Sequence, residues 1–207
     1  MADFNFNSVA KKYFTDEQYD KIRETRIGIA GAGGLGSNCA INLVRCGFEK
    51  FVIADFDVVE LSNLNRQAYT VRHIGRPKVE CLSELMRAIN PECVVRPVRE
   101  RVDESNIAAL FEDCPVVVEA FDKAESKAML SQAFFGSSKL VVSASGLGGF
   151  GNSDRITTRK IRDNYFLIGD GTSGVGNGVK PYAPCVSIAA AKQADIVLSW
   201  IIDQKYD

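Results

Sequence analysis

The sequence predicts an α/β fold of the doubly wound, Rossmann-like kind: a mostly parallel sheet with an antiparallel extension and a long C-terminal helix. Three observations predict it. Short apolar runs without alternation recur along the chain (RIGIAG, KFVIAD, CPVVVEAFD, KLVVSASG), and such runs mark strands buried on both faces. Stretches with helical apolar spacing separate them, which makes the strands parallel and covers the sheet on two sides. The first run also opens into GAGGLGSN, a glycine turn of the kind that starts a helix beneath a phosphate.

The elements follow in order. The arm of residues 1–25 is read as helical, because TDEQYDKIRE (15–24) starts on Thr15 with Glu17 and Gln18 just beyond, a capping pattern. A strand covers 26–31, and LGSNCAINLVRCG (35–47) is a helix that stops on Gly47. KFVIAD (50–55) is a strand closed by an acid, and PKVECLSELMRAIN (77–90) an amphipathic helix with Pro77 in its first turn. A strand at 92–98 and a short helix at 104–113 lead to CPVVVEAFD (114–122), a strand ending in Asp122. The helix KAESKAMLSQAFF and the buried strand 139–146 complete the alternation.

The pattern then changes. DRITTRKI (154–161) alternates and suits an antiparallel strand. Residues 163–182 are read as a flexible crossover loop, since the stretch 168–181 carries five glycines. The last segment, APCVSIAAAKQADIVLSWIID, is too apolar to face water all round; it is expected to bury one side on the sheet and another in a partner subunit. All of residues 1–207 are taken as one domain.

Composition excludes several function classes. With 46% hydrophobic residues, 25% charged residues and a net charge of −1, no basic balance points to nucleic acid. The start MADFNFNSVAKKYF has no signal-peptide pattern, and no apolar stretch reaches the roughly 20 residues of a membrane span. No membrane partner and a cytoplasmic address are therefore expected. The six cysteines are scattered without a C-x-x-C pair beside a single His73, so no zinc is expected and the thiols are read as reduced.

Gly31, Gly33 and Gly36 form G-x-G-x-x-G between a strand and a helix, and Asp55 stands at the end of the next strand. Glycines there let backbone N–H groups meet a phosphate, and an acid at that point accepts a ribose hydroxyl. Asp57 is read as a cap for the turn VELSN. Asn63, Arg66 and Gln67 follow at spacings of three and four and would share one face, which a solvated surface explains as readily as a ligand does. His73 is read as a surface or loop residue.

Taken together, GAGGLGS, ADFDVVELSNLNRQ, GRPKVE and INP resemble the ThiF/MoeB/HesA family, bacterial relatives of ubiquitin-activating enzymes, and most nearly its short, zinc-free branch associated with thiamine biosynthesis. The resemblance implies ATP- and magnesium-dependent adenylation of the C-terminal Gly-Gly carboxylate of a ubiquitin-fold sulfur carrier such as ThiS, with release of pyrophosphate, by a homodimer. It places the family's glycine loop on Gly31, Gly33, Gly34 and Gly36, and its ribose acid on Asp55. The nucleotide contacts fall on Asn63, Arg66 and Gln67, with the lysine at Lys78 and the magnesium ligand at Asp122. The catalytic set is then Arg66, Lys78 and Asp122.

The chemistry suits these residue types. Nucleotidyl transfer is catalysed by positioning and charge neutralisation. Arg66 offers a planar fork for phosphate oxygens and Lys78 a mobile point charge. Asp122 is a hard oxygen ligand of the kind magnesium takes, although Asp also fills helix N-cap positions such as the one before KAESK. The attacking carboxylate is already ionised, so no general base is needed.

Three departures qualify the resemblance. The paired C-x-x-C motifs of zinc-binding relatives are missing. The N-terminal arginine that reaches the partner subunit's ATP is either missing or replaced, with Lys11 and Lys12 as the candidates for a replacement. The crossover loop has no cysteine; Cys185, at the start of the last helix, is read either as a reactive thiol or, preferably, as a buried structural one. Two other readings stand beside adenylation: a non-catalytic ATP- and carrier-binding homologue, and an NAD-dependent oxidoreductase, for which no hydride-transfer set is visible.

Overall fold

A computed structural model of the chain describes residues 5–174 and 179–203. The strands are β1 (Arg26–Ala30), β2 (Lys50–Ala54), β3 (Val94–Val98), β4 (Val116–Glu119), β5 (Leu140–Ala144), β6 (Thr157–Arg162) and β7 (Tyr165–Gly169). The helices are α1 (Phe6–Ala10), α2 (Asp16–Glu24), α3 (Gly34–Arg45), α4 (Lys78–Ile89), α5 (Ile107–Leu110), α6 (Ala124–Phe134) and α7 (Ala183–Ile201). One seven-stranded sheet runs β3-β2-β1-β4-β5-β7-β6. Every pairing is parallel except β6 with β7, so the antiparallel extension lies at one edge.

Strand alternation sends successive side chains to two cores. Ile27, Ile29, Phe51, Ile53, Val116 and Val118 pack on the side of α3, α4 and α7. Ala30, Val52, Ala54 and Val117 pack on the side of α5 and α6. Gly28 has to be glycine on that second side, because a Cβ there would stand 2.5 Å from the Phe111 ring.

The chain runs outward through β1, β2 and β3, then returns to pair β4 with β1 and continues the other way. That reversal between β1 and β4 is the place where the loops after two neighbouring strands diverge and open a crevice. The loops holding Gly31–Gly34 and Ala120–Lys123 are the two in question.

Several expectations change. Residues 165–169 of the expected crossover loop form β7, an interior strand between β5 and β6; its run YFLIG is apolar enough to be buried on both faces. Residues 175–178 of that loop lie outside the described residues. The helix expected over 104–113 shrinks to Ile107–Leu110, because Asp103 and Asn106 form a polar turn in which Asp103 Oδ1 accepts from Ser105 N (2.9 Å) and Asn106 Oδ1 from Asp103 N (2.9 Å).

Much of the apolar surface of α7 is buried within its own chain, while Trp200 near its C-terminal end stays exposed. Val186, Ala189, Ala190, Ala194, Ile196, Val197 and Ile201 are buried against α3, β5 and β7, while Ser187, Ala191 and Asp195 face outward. Its small residues let α3 approach closely. Among the described residues, no helix is long and apolar enough to cross a membrane.

The described part of the N-terminal arm holds α1, a 3-10 turn over Lys11–Tyr13, and α2, whose Thr15 and Gln18 close the expected capping box. Ala10 and Tyr19 pack beside Gly47, and Asn7 meets Asn90. Both contacts lie at the C-terminal ends of α3 and α4, at the opposite end of the strands from the glycine turn.

Candidate functional site

The four glycines of the first turn differ in what they do. Gly31 has φ +105°, and a Cβ there would lie 2.7 Å from Ala120 O. A Cβ on Gly36 would stand 1.8 Å from Gly31 O, so this glycine lets α3 pack onto the turn it leaves. At Gly34 a Cβ would meet Val186 at 2.9 Å. Only Gly33, the N-cap of α3, opens onto space, with Gln67 Nε2 as its nearest neighbour at 3.9 Å. The first N–H groups of a helix have no intrahelical acceptor and carry the positive end of its dipole. A ligand oxygen can therefore approach the chain at Gly33.

Asp55 is held rather than free. Its Oδ2 accepts from Ala32 N (2.7 Å) and its Oδ1 from Asp57 N (2.8 Å), which fixes the carboxylate beside the glycine turn. Each oxygen keeps a second lone pair for a ligand hydroxyl. Tyr69 closes the same corner by donating to Ala32 O (2.7 Å); burial, then the nearby Asp55 carboxylate, pushes its phenol up, so it remains a donor.

Asp57 does not cap the VELSN turn. Glu60 and Asn63 serve that turn, with Glu60 N donating to Asn63 Oδ1 (3.0 Å). Asp57 instead pairs with Lys78, whose Nζ lies 2.8 Å from Asp57 Oδ2. Lys78 is buried, not an exposed helix-start lysine, and Pro77 is the N-cap of α4 rather than part of its first turn. His73 is likewise buried: its ring closes a 3-10 turn (Val71–His73), with Nδ1 accepting from Thr70 N (3.0 Å), and it stands edge-on to Tyr69.

Asn63, Arg66 and Gln67 do not form one solvated face, since Asn63 and Gln67 are buried. Arg66 Cγ and Cδ lie over Gly34, near the position a Cβ would take, and Gln67 Nε2 lies over Gly33. The Gln67 Oε1 atom is buried without a hydrogen-bond partner. The Arg66 guanidinium donates within its own turn, to Asn65 Oδ1 (2.8 Å) and Ser62 O (3.3 Å). It is therefore free to turn toward an anion without breaking a tertiary contact.

On the other side of the reversal, Asp122 is exposed and makes no hydrogen bond or ion pair among the described residues. It is not the N-cap of α6; Lys123 holds that position without a side-chain cap bond. Among the described residues no group of three or more His, Cys, Asp or Glu side chains is placed to hold a metal. Asp122 could thus supply one ligand to a magnesium ion that takes its other oxygens from phosphate and water.

The acid that does lie within the strand was missed by sequence reading. Glu119 is fully buried, with both oxygens 3.0 Å from Lys127 Nζ. It also accepts from Phe121 N (2.7 Å) and Ser143 Oγ (2.5 Å), while Lys127 donates to Ala144 O (2.8 Å). This network pins the segment carrying Asp122 between β5 and the first turns of α6. The available signal was a charged residue inside VVVEAF with Lys127 eight residues beyond, in the first turn of the following helix.

Cys185 lies in the first turn of α7 and is buried, with an Arg155 nitrogen 3.9 Å from its Sγ. Arg155 also donates to Asn152 O (3.0 Å), Gly148 O, Ser173 Oγ and Asp170. Burial works upward on the Asp170 carboxyl, but hydrogen bonds from the Ser173 hydroxyl, the Ser173 and Thr172 N–H groups and Arg155 outweigh it and hold it well below the usual carboxylate range. Lys11 pairs with Asp16 (2.8 Å) on the arm at the far end of the strands. Neither Lys11 nor Lys12 is brought to the glycine turn of its own chain.

Comparison with known proteins bears on the family and the fold. The family model described as "ThiF family" matches residues 7–204. The SAMP-activating enzyme E1 of Haloferax volcanii is 36% identical over 116 residues, 56% of this chain and 43% of that protein. The molybdopterin-synthase adenylyltransferase of Escherichia coli is 29% identical over 148 residues, 71% of this chain and 59% of that protein. The chain thus spans less than two-thirds of the length of either relative. Among solved structures, the ATP complex of E. coli tRNA N6-threonylcarbamoyladenosine dehydratase TcdA superimposes with a TM-score of 0.86 at 21% identity, over 95% of this chain and 93% of that one. That likeness shows the shared fold. From its glycine turn to its last helix, the chain belongs to the ThiF family.

Proposed function

We propose that this protein is an ATP-dependent adenylyltransferase that activates the C-terminal Gly-Gly carboxylate of a ubiquitin-fold sulfur carrier. The observation that carries the reading is the placement of Arg66 and Gln67 over Gly34 and Gly33, with Asp55 fixed beside them. The open approach at Gly33, the helix N-terminus under it and the uncommitted Arg66 guanidinium fit a polyphosphate. The unpartnered Gln67 Oε1 fits a hydroxyl or amino donor on the same nucleotide.

Asp55 receives the ribose, Arg66 and Lys78 draw the triphosphate along α3 and α4, and Asp122 faces the phosphates from the β4 loop. The carrier carboxylate attacks the α-phosphorus; the new carboxyl O–P bond forms as the bond to the bridging oxygen of pyrophosphate breaks. Magnesium, when bound at Asp122, would neutralise charge on the phosphates and the departing pyrophosphate. No proton has to be removed from the nucleophile.

The finer reading is a ThiS-like carrier and a role in thiamine biosynthesis, in the cytoplasm, by a homodimer. The arm carrying Lys11 and Lys12 lies at the opposite end of the strands from the glycine turn, so on this reading any nucleotide it contacts is bound in another subunit.

The test is pyrophosphate exchange into ATP with magnesium and carriers ending in Gly-Gly. Exchange should depend on the carrier and fall by about 100-fold or more in Arg66→Ala and in Asp122→Ala, with melting unchanged. Failure of every carrier to support exchange sinks the enzymatic reading. ATP binding without exchange would then identify a non-catalytic homologue, and stabilisation by NAD but not ATP an oxidoreductase.

A further inference from the structure

The segment carrying Arg66 and Gln67 is joined to α3 by two side chains, and the proposal that follows rests on the nucleotide reading above. Asn38 Nδ2 donates both to Gly34 O (2.7 Å) and to Arg66 O (2.9 Å). Ser37 Oγ, fully buried, accepts from Ala68 N (3.1 Å). Among the described residues these are the only hydrogen bonds between residues 61–68 and α3. The remaining bonds of the segment are local, among them those from Arg66 N and Gln67 N to Asn63 O (3.1 and 3.0 Å). Asparagine is a poor choice inside a helix, where its amide competes with the backbone. Here the amide spans the gap between the helix and the segment that crosses it.

We propose that Asn38 and Ser37 are positioning residues that hold Arg66 and Gln67 in register over Gly33 and Gly34. The carbonyl of residue 66 and the N–H of residue 68 are both gripped, so the Gln67 backbone is fixed on either side. Loss of the Asn38 grip lets the turn slide along α3 while its local bonds survive. Arg66 and Gln67 then meet the phosphates from a range of positions instead of one, and affinity for ATP falls although neither altered atom touches the nucleotide.

The experiment is equilibrium binding of ATP–magnesium to the full chain as wild type, Asn38→Ala, Arg66→Ala and the double variant, with melting midpoints alongside. Wild type should bind; if it does not, the nucleotide reading itself fails. Asn38→Ala should bind about tenfold more weakly, as expected for one lost hydrogen bond that orients a charged contact. In the Arg66→Ala background the same change should cost clearly less, about threefold or under, because only Gln67 is then left for the turn to position. Equal losses in both backgrounds, or no loss in either, overturn the proposal. Asn38→Asp keeps the shape and removes both donors. It should lose affinity like the alanine variant and decides the question alone if that variant does not fold; wild-type affinity in Asn38→Asp overturns the proposal.

Discussion

Lys78 Nζ lies 2.8 Å from Asp57 Oδ2, with the lysine side chain 7% exposed and the aspartate 48%. The ammonium is the more deeply buried partner, and it sits at the N-terminus of α4, where a helix dipole disfavours a cation. It needs an anion there. Asp57 supplies one within the chain, and on the proposed function a triphosphate supplies another. Asp57→Asn should therefore destabilise the fold by about 2 kcal/mol, less than for a fully buried pair because the aspartate is half exposed. Urea unfolding reads this. Adding Lys78→Met should recover most of the stability and none of the pyrophosphate exchange; an unchanged unfolding midpoint in Asp57→Asn would contradict the pairing.

Gly33 and Gly36 separate ligand space from packing. Gly33→Ala adds a methyl group to open space at a φ of −80°, so melting should stay within a few degrees of wild type while ATP binding is lost. Gly36→Ala puts a Cβ 1.8 Å from Gly31 O, and the chain should not fold. Circular dichroism melts and ATP titration check both; a well-folded Gly36→Ala would contradict the description of the turn.

Glu119 and Lys127 form a pair whose carboxylate is fully buried. Removing one partner of such a pair leaves an uncompensated charge, typically at a cost of about 3 kcal/mol. Glu119→Gln should show a loss of that size by denaturant titration. The double variant Glu119→Leu, Lys127→Met should be the more stable of the two, yet slower in exchange, since the loop carrying Asp122 is no longer pinned.

Asp170 predicts a pH dependence. Its folded carboxyl titrates below the ordinary value of 3.8, so its contribution to stability is complete above that value and is lost as pH falls toward the folded one. Asp170→Asn should melt well below wild type at pH 7, and the gap should close progressively below about pH 4. A gap independent of pH would mean that Asp170 acts through packing alone.

The alternation of apolar strands and amphipathic helices was legible because the central strands β1, β2, β4 and β5 are buried on both faces and the helices that cover them on one, which writes period and length directly into the chain. The glycine turn and Asp55 were legible for a related reason: a tight turn and a strand end impose residue types at fixed spacing. Even so, sequence treated the four glycines alike, and only packing against Ala120, Val186 and Gly31 shows that three make room for protein while Gly33 opens onto space.

Sequence alone determined the doubly wound fold, the family and the residues from which a site could be built. Tertiary structure decided their partners. Asp57 pairs with a lysine 21 positions away, Glu119 and not Asp122 is the acid buried in the strand, β7 emerges from what reads as loop, and Asn38 reaches across to hold Arg66. Composition and period record how much of a residue is buried and on which face. They do not record which distant group lies opposite, because that depends on crossovers that bring separate loops to one end of the sheet.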